Sequence, residues 1–200
     1  SDNKHDIYIL KEKEIIATID IEDEVKKGTK AILSSLHNNG YSSIMLSGDN
    51  QKKCKQIASQ LGIQSVFSEQ LPEDKIKKIE DLIKINKTIM VGDGINDAPA
   101  LAKSDVGISL SDATDIAIKS ADIVLLNNEN LDQLLKTIQI GKHTLLTIKQ
   151  NLFWAFSYNI IAIPIAIMGL INPMWAALFM AFSDIVVIGN SIRLRYKNIF

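Results

Sequence analysis

Short apolar runs alternate with charged, amphipathic stretches through the first two-thirds of the chain, and near-continuous apolar sequence fills most of the rest. Ile7 to Leu10 and Glu14 to Ile19 read as short strands on either side of a charged turn, Lys11-Glu12-Lys13. Asp23 to Lys27 leads into a helix with apolar positions at Val25, Ile32, Leu33 and Leu36, closed by Asn38-Asn39-Gly40. Ser43 to Leu46 is the next buried strand, and Asn50 suits the cap of a helix over Gln51 to Leu61. A short strand near Ser65 to Phe67 follows, and then Pro72 opens a helix with Glu73 and Asp74 in its first turn. Thr88 to Val91 suits a buried strand, which breaks at Gly92-Asp93-Gly94 and resumes as helix toward Leu101. Ser104 to Ile108 and Ala121 to Leu125 are strands prefaced by aspartate, and between them Ser111 to Asp115 caps a short helix. This alternation predicts an α/β domain with a mostly parallel sheet covered on both faces.

The pattern changes at Leu131. Leu131 to Lys149 reads as a long amphipathic helix bearing Lys136, Lys142 and Lys149, and from Leu152 to Ile171 no residue is charged. Those twenty residues make about 30 Å of helix, enough to cross a bilayer's hydrocarbon core. Asn172-Pro173 interrupts the run, and Met174 to Ile192 is a second one with a single charge, Asp184. Two such runs would overwhelm so small a soluble core, so a transmembrane helical hairpin is expected at about 152–171 and 174–192. The domain division expected is 1–135 for the α/β part and 136–200 for the connecting helix and hairpin. Lys142 and Lys149 precede the hairpin while Arg193, Arg195 and Lys197 follow it, which predicts both ends on the cytoplasmic side.

Composition excludes some classes. A formal charge of −1 and a pI near 6.3 leave no basic footprint for nucleic acid. The single cysteine, Cys54, rules out an internal disulfide framework and fits a reducing compartment. The mean hydropathy of +0.10 hides the asymmetry between the two parts. The polar N-terminal residues show no signal peptide.

The candidate chemistry sits where strands give way to loops, because ligands in open α/β sheets bind at the carboxyl ends of strands. Asp93 and Asp97 bracket the Gly-Asp-Gly break, with Gly92 and Gly94 letting backbone come close. That arrangement suits a hard cation such as Mg2+ beside a phosphate. Ser47-Gly48-Asp49 ends the strand before Asn50, and a hydroxyl followed by glycine there suits phosphate binding. Lys75, in Pro72-Glu73-Asp74-Lys75, says little alone, since lysines are common on helix faces.

The string Thr88 to Leu101 closely resembles the last signature of the haloacid-dehalogenase-like phosphotransferases, in the form used by P-type ATPases. With the hairpin, the resemblance covers essentially the whole chain. The fold it implies is a haloacid-dehalogenase-like, Rossmann-like parallel sheet domain followed by the membrane hairpin. The function it implies is that of the C-terminal part of an ATP-driven pump working through a phospho-aspartate. The roles it implies are Asp93 as Mg2+ ligand with Asn96 and Asp97 in support, and Ser47, Gly48 and Asp49 around the phosphoryl group with Lys75 neutralising it. Asp23 and Lys26 stand where these pumps carry an Asp-x-x-Arg or Asp-x-x-Lys pair near the nucleotide domain. The nucleophile, in the form Asp-Lys-Thr-Gly-Thr, does not occur in the sequence, nor do a Cys-Pro-Cys or a Thr-Gly-Glu loop. The chain is therefore expected to begin just after the nucleotide-binding domain of a longer pump.

The second half resembles the heavy-metal-transporting branch through Asn151 to Asn159, Asn172-Pro173 and Asn190 to Leu194. Tyr158-Asn159 matches the copper(I) pumps, as do Met180 and Ser183 of Met180-Ala181-Phe182-Ser183-Asp184. Asp184 departs from that pattern, which has a second serine in its place. Copper(I) is the favoured cargo over Zn2+ or Co2+, because a methionine thioether is a soft ligand. The partners implied are the lipid bilayer, the remaining domains of the pump and a metallochaperone. The location implied is the plasma (inner) membrane, multi-pass, with the α/β domain cytoplasmic. Two other classes stay open: a soluble small-molecule phosphatase, and a non-catalytic membrane subunit derived from a pump.

Overall fold

The computed structural model describes residues 7–19, 25–126, 131–170 and 172–196. They form two compact units that part between Val124 and Leu131. The first opens with an antiparallel ribbon, β1 (Ile7–Lys11) and β2 (Glu14–Ile19), registered from Ile7 opposite Ile19 to Lys11 opposite Glu14. Every position of both strands is exposed, their isoleucines included. The α/β part follows as α1 (Thr29–Asn38), β3 (Ile44–Leu46), α2 (Gln51–Leu61), β4 (Ser65–Phe67) and α3 (Pro72–Ile85). Next come β5 (Ile89–Gly92), a 3-10 turn (Ile95–Asp97), α4 (Ala98–Lys103), β6 (Val106–Leu110), α5 (Asp115–Ser120) and β7 (Ile123–Leu125).

Local chemistry sets most of the boundaries. Asn50 accepts a hydrogen bond from the Lys53 amide at 2.9 Å and caps α2, and the Thr114 hydroxyl caps α5. Pro72 begins α3, where its missing amide costs nothing, and Asp74 reaches back to the Leu71 amide at 3.3 Å. The expected strands pair in parallel as β3 with β4 and β5 with β6, but as two sheets rather than one: β3-β4, and β5-β6-β7. Among the described residues no hydrogen bond joins β3 to β5. Packing joins them instead. Ile79, Met90, Ala100, Leu101 and Ala117 form a buried cluster, and Leu46 of β3 packs against it.

One close approach holds α4 on the sheet. A Cβ on Gly107 would lie 2.7 Å from the Leu101 carbonyl oxygen, so only glycine lets the helix rest on β6 at that point.

The second unit is two helices, α6 (Asp132–Ile167) and α7 (Pro173–Arg195). Both are long and apolar enough to cross a membrane. The amphipathic segment and the first apolar run are a single continuous helix of 36 residues. It ends four residues before Ile171, because Gly169 takes a left-handed conformation (φ +69°). The Leu170 amide then donates to Ile165 and the Gly169 amide to Ala166, at 3.1 and 3.0 Å, which is a Schellman cap. Asn172 starts α7, its side-chain oxygen accepting from the Met174 amide at 3.0 Å.

Candidate functional site

The β5–α4 turn gathers most of the charged groups singled out from the sequence. Asp97 ends the 3-10 turn, its amide donating to the Gly94 carbonyl at 3.1 Å. That turn aims its carboxylate back at β5, where Lys75 of α3 meets it: Lys75 Nζ to Asp97 Oδ1 is 2.7 Å. Lys75 is buried to 8% exposure, so its ammonium depends on this partner rather than on water. Gly92 has no room for a side chain, since a Cβ there would lie 2.8 Å from Asp97 Cβ and 3.1 Å from its Oδ2. Gly94 is freer, with 3.4 Å to the same oxygen.

Asp93 and Asn96 are exposed beside this pair, and among the described residues neither side chain has a hydrogen bond or an ion pair. The backbone of Asp93 is nonetheless fixed, because its carbonyl accepts from the Thr114 amide at 3.1 Å. That bond ties the Gly-Asp-Gly turn to the loop after β6. In the same loop the exposed Asp112 stands 3.7 Å from Nζ of the half-buried Lys26. Thr114, a helix cap by its sequence context, thus has a second role in a long-range contact with no local signature. Asp23, predicted alongside Lys26, lies outside the described residues.

The second loop is self-contained. Ser47 Oγ donates to Asp49 Oδ2 at 2.8 Å and accepts from the Asp49 amide at 3.1 Å. The loop is laced to the end of β4: the Ser47 amide donates to Phe67, the Gln70 amide to Ser47 and the Glu69 amide to Asp49, at 2.9–3.0 Å. Gln70 is followed at once by Leu71 and α3, so the loop that holds Ser47 also sets the start of the helix that carries Lys75. Cys54, fully buried, donates weakly to the Asp49 carbonyl at 3.5 Å.

No group of three or more His, Cys, Asp or Glu that could cage a metal occurs among the described residues. Mg2+ needs no such cage, being held by one or two carboxylates with phosphate oxygens and water. Asp93 is the free carboxylate there, while one oxygen of Asp97 is already committed to Lys75.

In the membrane-length unit, Tyr158 and Asn159 of α6 and Met180, Ser183 and Asp184 of α7 line a groove of about 440 Å³. Alanines, Ala155 and Ala176 among them, make up much of its wall. The Tyr158 hydroxyl donates to Ala176 O at 3.3 Å, crossing from one helix to the other, and Asn159 Nδ2 donates to Ala155 O at 3.0 Å. Asn159 therefore keeps its side-chain oxygen as an acceptor. Further along, Asn151, Asn190, Ser191 and Gln150 cross-link the helices, with Asn190 Nδ2 to Asn151 Oδ1 and Asn151 Nδ2 to Ser191 Oγ both 2.8 Å.

A family model described as haloacid dehalogenase-like hydrolase matches residues 2–105, and a second of the same description matches 74–138. The chain belongs to the haloacid dehalogenase-like hydrolases. Within that class its similarity is to metal-transporting P-type ATPases and runs over nearly its whole length. It is 43% identical over 203 residues to copper-transporting ATPase 2 of Rhizobium meliloti, covering 98% of this chain and 24% of that protein. It is 43% identical over 190 residues to the copper-exporting P-type ATPase of Mycobacterium leprae, covering 94% and 24%. Among solved structures, a zinc-transporting PIB-type ATPase in the E2·Pi state superposes with a TM-score of 0.84 at 30% identity, covering 94% of this chain and 31% of that one. The chain spans about a quarter of the length of the curated relatives it matches.

Proposed function

We propose that this chain is the C-terminal part of an ATP-driven heavy-metal exporter whose cargo is copper(I). The observation that carries the reading is the pairing, in one chain, of the Lys75–Asp97 turn with a groove of metal-donor side chains between two membrane-length helices. In this reading 1–135 is the end of the phosphorylation domain and 136–200 the connecting helix and hairpin.

The soluble unit contributes electrostatics and positioning, which carry nearly all phosphoryl-transfer catalysis. The Gly48 amide donates to phosphoryl oxygens, as do Ser47 Oγ and the Asp49 amide once a phosphate replaces the bonds they now make within the loop, and Lys75 swings its charge from Asp97 toward them. Asp97, paired with Lys75, holds the turn in shape, and Asn96 supports Asp93 as it offers its carboxylate to Mg2+. Bound Mg2+ supplies positive charge that offsets the charge developing on the transferred group. Gly92 and Gly94 keep the turn low enough for ATP's phosphate to approach. Asp23 and Lys26 serve the nucleotide end. The nucleophilic aspartate comes from outside this chain, and the open edges of β3 and β5 support a strand supplied by the rest of the pump.

In the membrane, Tyr158, Asn159, Met180, Ser183 and Asp184 form the ion path, Met180 giving it a soft donor. Lys142, Lys149, Arg193 and Arg195 flank the hairpin, which supports an α/β domain in the cytoplasm, and the membrane in this reading is the plasma (inner) one. The remaining domains of the pump and a metallochaperone are the protein partners.

The test is phosphoenzyme formation by the full-length pump with labelled ATP. Asp93→Ala abolishes the acid-stable label, whereas Cys54→Ser, whose hydroxyl can still donate to the Asp49 carbonyl, retains it. A normal label in the Asp93 variant sinks the Mg2+ assignment.

A further inference from the structure

Asp184 is the donor that sets this groove apart from a set suited to copper(I) alone. Met180, Ser183 and Asp184 stand at i, i+3 and i+4 on α7 and so share a face. All three line the same groove as Tyr158 and Asn159. Among the described residues Asp184 has no hydrogen bond and no ion pair, whereas Tyr158 and Asn159 are each held by a backbone carbonyl. No other charged residue lies between Met174 and Ile192, and none between Leu152 and Ile171.

Charge decides what that means. An aspartate at mid-helix is costly to bury in a bilayer, and such residues face a cavity or a partner. The other four donors, a thioether, a phenol, an amide oxygen and a hydroxyl, are neutral. With those alone a monovalent ion leaves the groove at a formal +1 and a divalent ion at +2. Adding one carboxylate lowers the divalent case to +1, the load that neutral ligands would carry with copper(I). A carboxylate oxygen is also an ordinary ligand for Zn2+, and one thioether among oxygen donors is a weak filter against borderline divalent ions.

We propose that Asp184 is a specificity-determining residue that admits a borderline divalent cation, Zn2+ or Co2+, to the groove alongside copper(I). The inference rests on the transport reading above and adds the cargo class to it. The experiment is ATPase stimulation of the full-length pump, titrated separately with copper(I), Zn2+ and Co2+, in wild type, Asp184→Asn and Asp184→Ser. Asparagine keeps size and an oxygen donor and removes only the charge. The readout is the ratio of divalent to copper(I) kcat/KM, which is independent of the fraction of protein folded.

The expected result is stimulation of wild type by at least one divalent ion, with that ratio falling roughly tenfold or more in both variants. Wild type responding to copper(I) alone overturns the proposal, as does an unchanged ratio in either variant or, where wild type answers to copper(I), loss of the copper(I) response in both. A wild type that answers only to divalent ions, with the variants losing that response, upholds Asp184 and overturns copper(I) as cargo. A wild type stimulated by no metal removes the transport reading and this inference together.

Discussion

Replacing Gly92 by alanine isolates the tightest contact in the soluble site. The new Cβ would lie 2.8 Å from Asp97 Cβ, 3.2 Å from Cγ and 3.1 Å from Oδ2. Carbon atoms rest at about 3.5–4.0 Å, so Asp97 must retreat by roughly 1 Å or the strand must shift. Either movement pulls its carboxylate from Lys75, now at 2.7 Å with both side chains at most 16% exposed. Overpacking of this kind costs about 1–3 kcal/mol of stability. A misplacement of about 1 Å costs about 10²-fold in rate, which is about 2.7 kcal/mol of barrier. Gly94→Ala is the internal comparison, because its Cβ would come only to 3.4 Å from Asp97 Oδ2. Phosphoenzyme level and ATPase kcat of the full-length pump should therefore fall about a hundredfold in Gly92→Ala and much less in Gly94→Ala. If Gly92→Ala stays within about twofold of wild type, or Gly94→Ala is hit equally hard, Asp97 is not held by that contact and the geometric reasoning fails.

Two further outcomes follow from other parts of the chain. Asp105 accepts from Lys87 Nζ at 2.6 Å and the Thr88 amide at 2.9 Å, and the Lys87 bond, then the Thr88 bond, hold its carboxyl below the usual range. Its stabilising effect is present above the ordinary carboxylate pKa of about 3.9 and is lost as pH falls through the lowered one. Asp105→Asn should thus melt below wild type at pH 7, with the gap narrowing in acid; a gap that does not narrow as pH falls contradicts this. The 200-residue chain alone should take no label from ATP, since the proposed nucleophile lies outside it; a hydroxylamine-sensitive label on the isolated chain refutes the proposal.

Local signals in the sequence were enough to read the elements but not all of their partners. Asn50, Thr114 and Asn172 announce their helices because a cap is a contact across two or three residues. The division of the strands into two sheets had no such signal, since pairing depends on segments far apart in sequence. The Lys75–Asp97 pair joins residues 22 positions apart, and the sequence suggested only that both belong near a phosphate. Likewise the joining of Lys149 and Leu152 in one unbroken helix was hidden by the abrupt change from charged to apolar composition, which reads as a boundary although the backbone has no reason to stop there. The groove was legible as far as Met180, Ser183 and Asp184 share a helical face; the Tyr158–Ala176 hydrogen bond across the hairpin was not.

The β1–β2 ribbon has a practical consequence. Its two strands carry Ile7, Ile9, Leu10, Ile15, Ile16 and Ile19 in the open, contain no proline and, among the described residues, form a sheet of two strands with no third. Unpaired edges beside exposed β-branched side chains are templates for pairing with another chain. Purified by itself, then, this polypeptide carries a seed for self-association that has nothing to do with its two long apolar helices. Detergent will not quench it, because the sticking surface is backbone as much as hydrocarbon. A charge placed on the ribbon, such as Ile16→Lys, should keep the isolated chain dispersed where the unmodified one sediments.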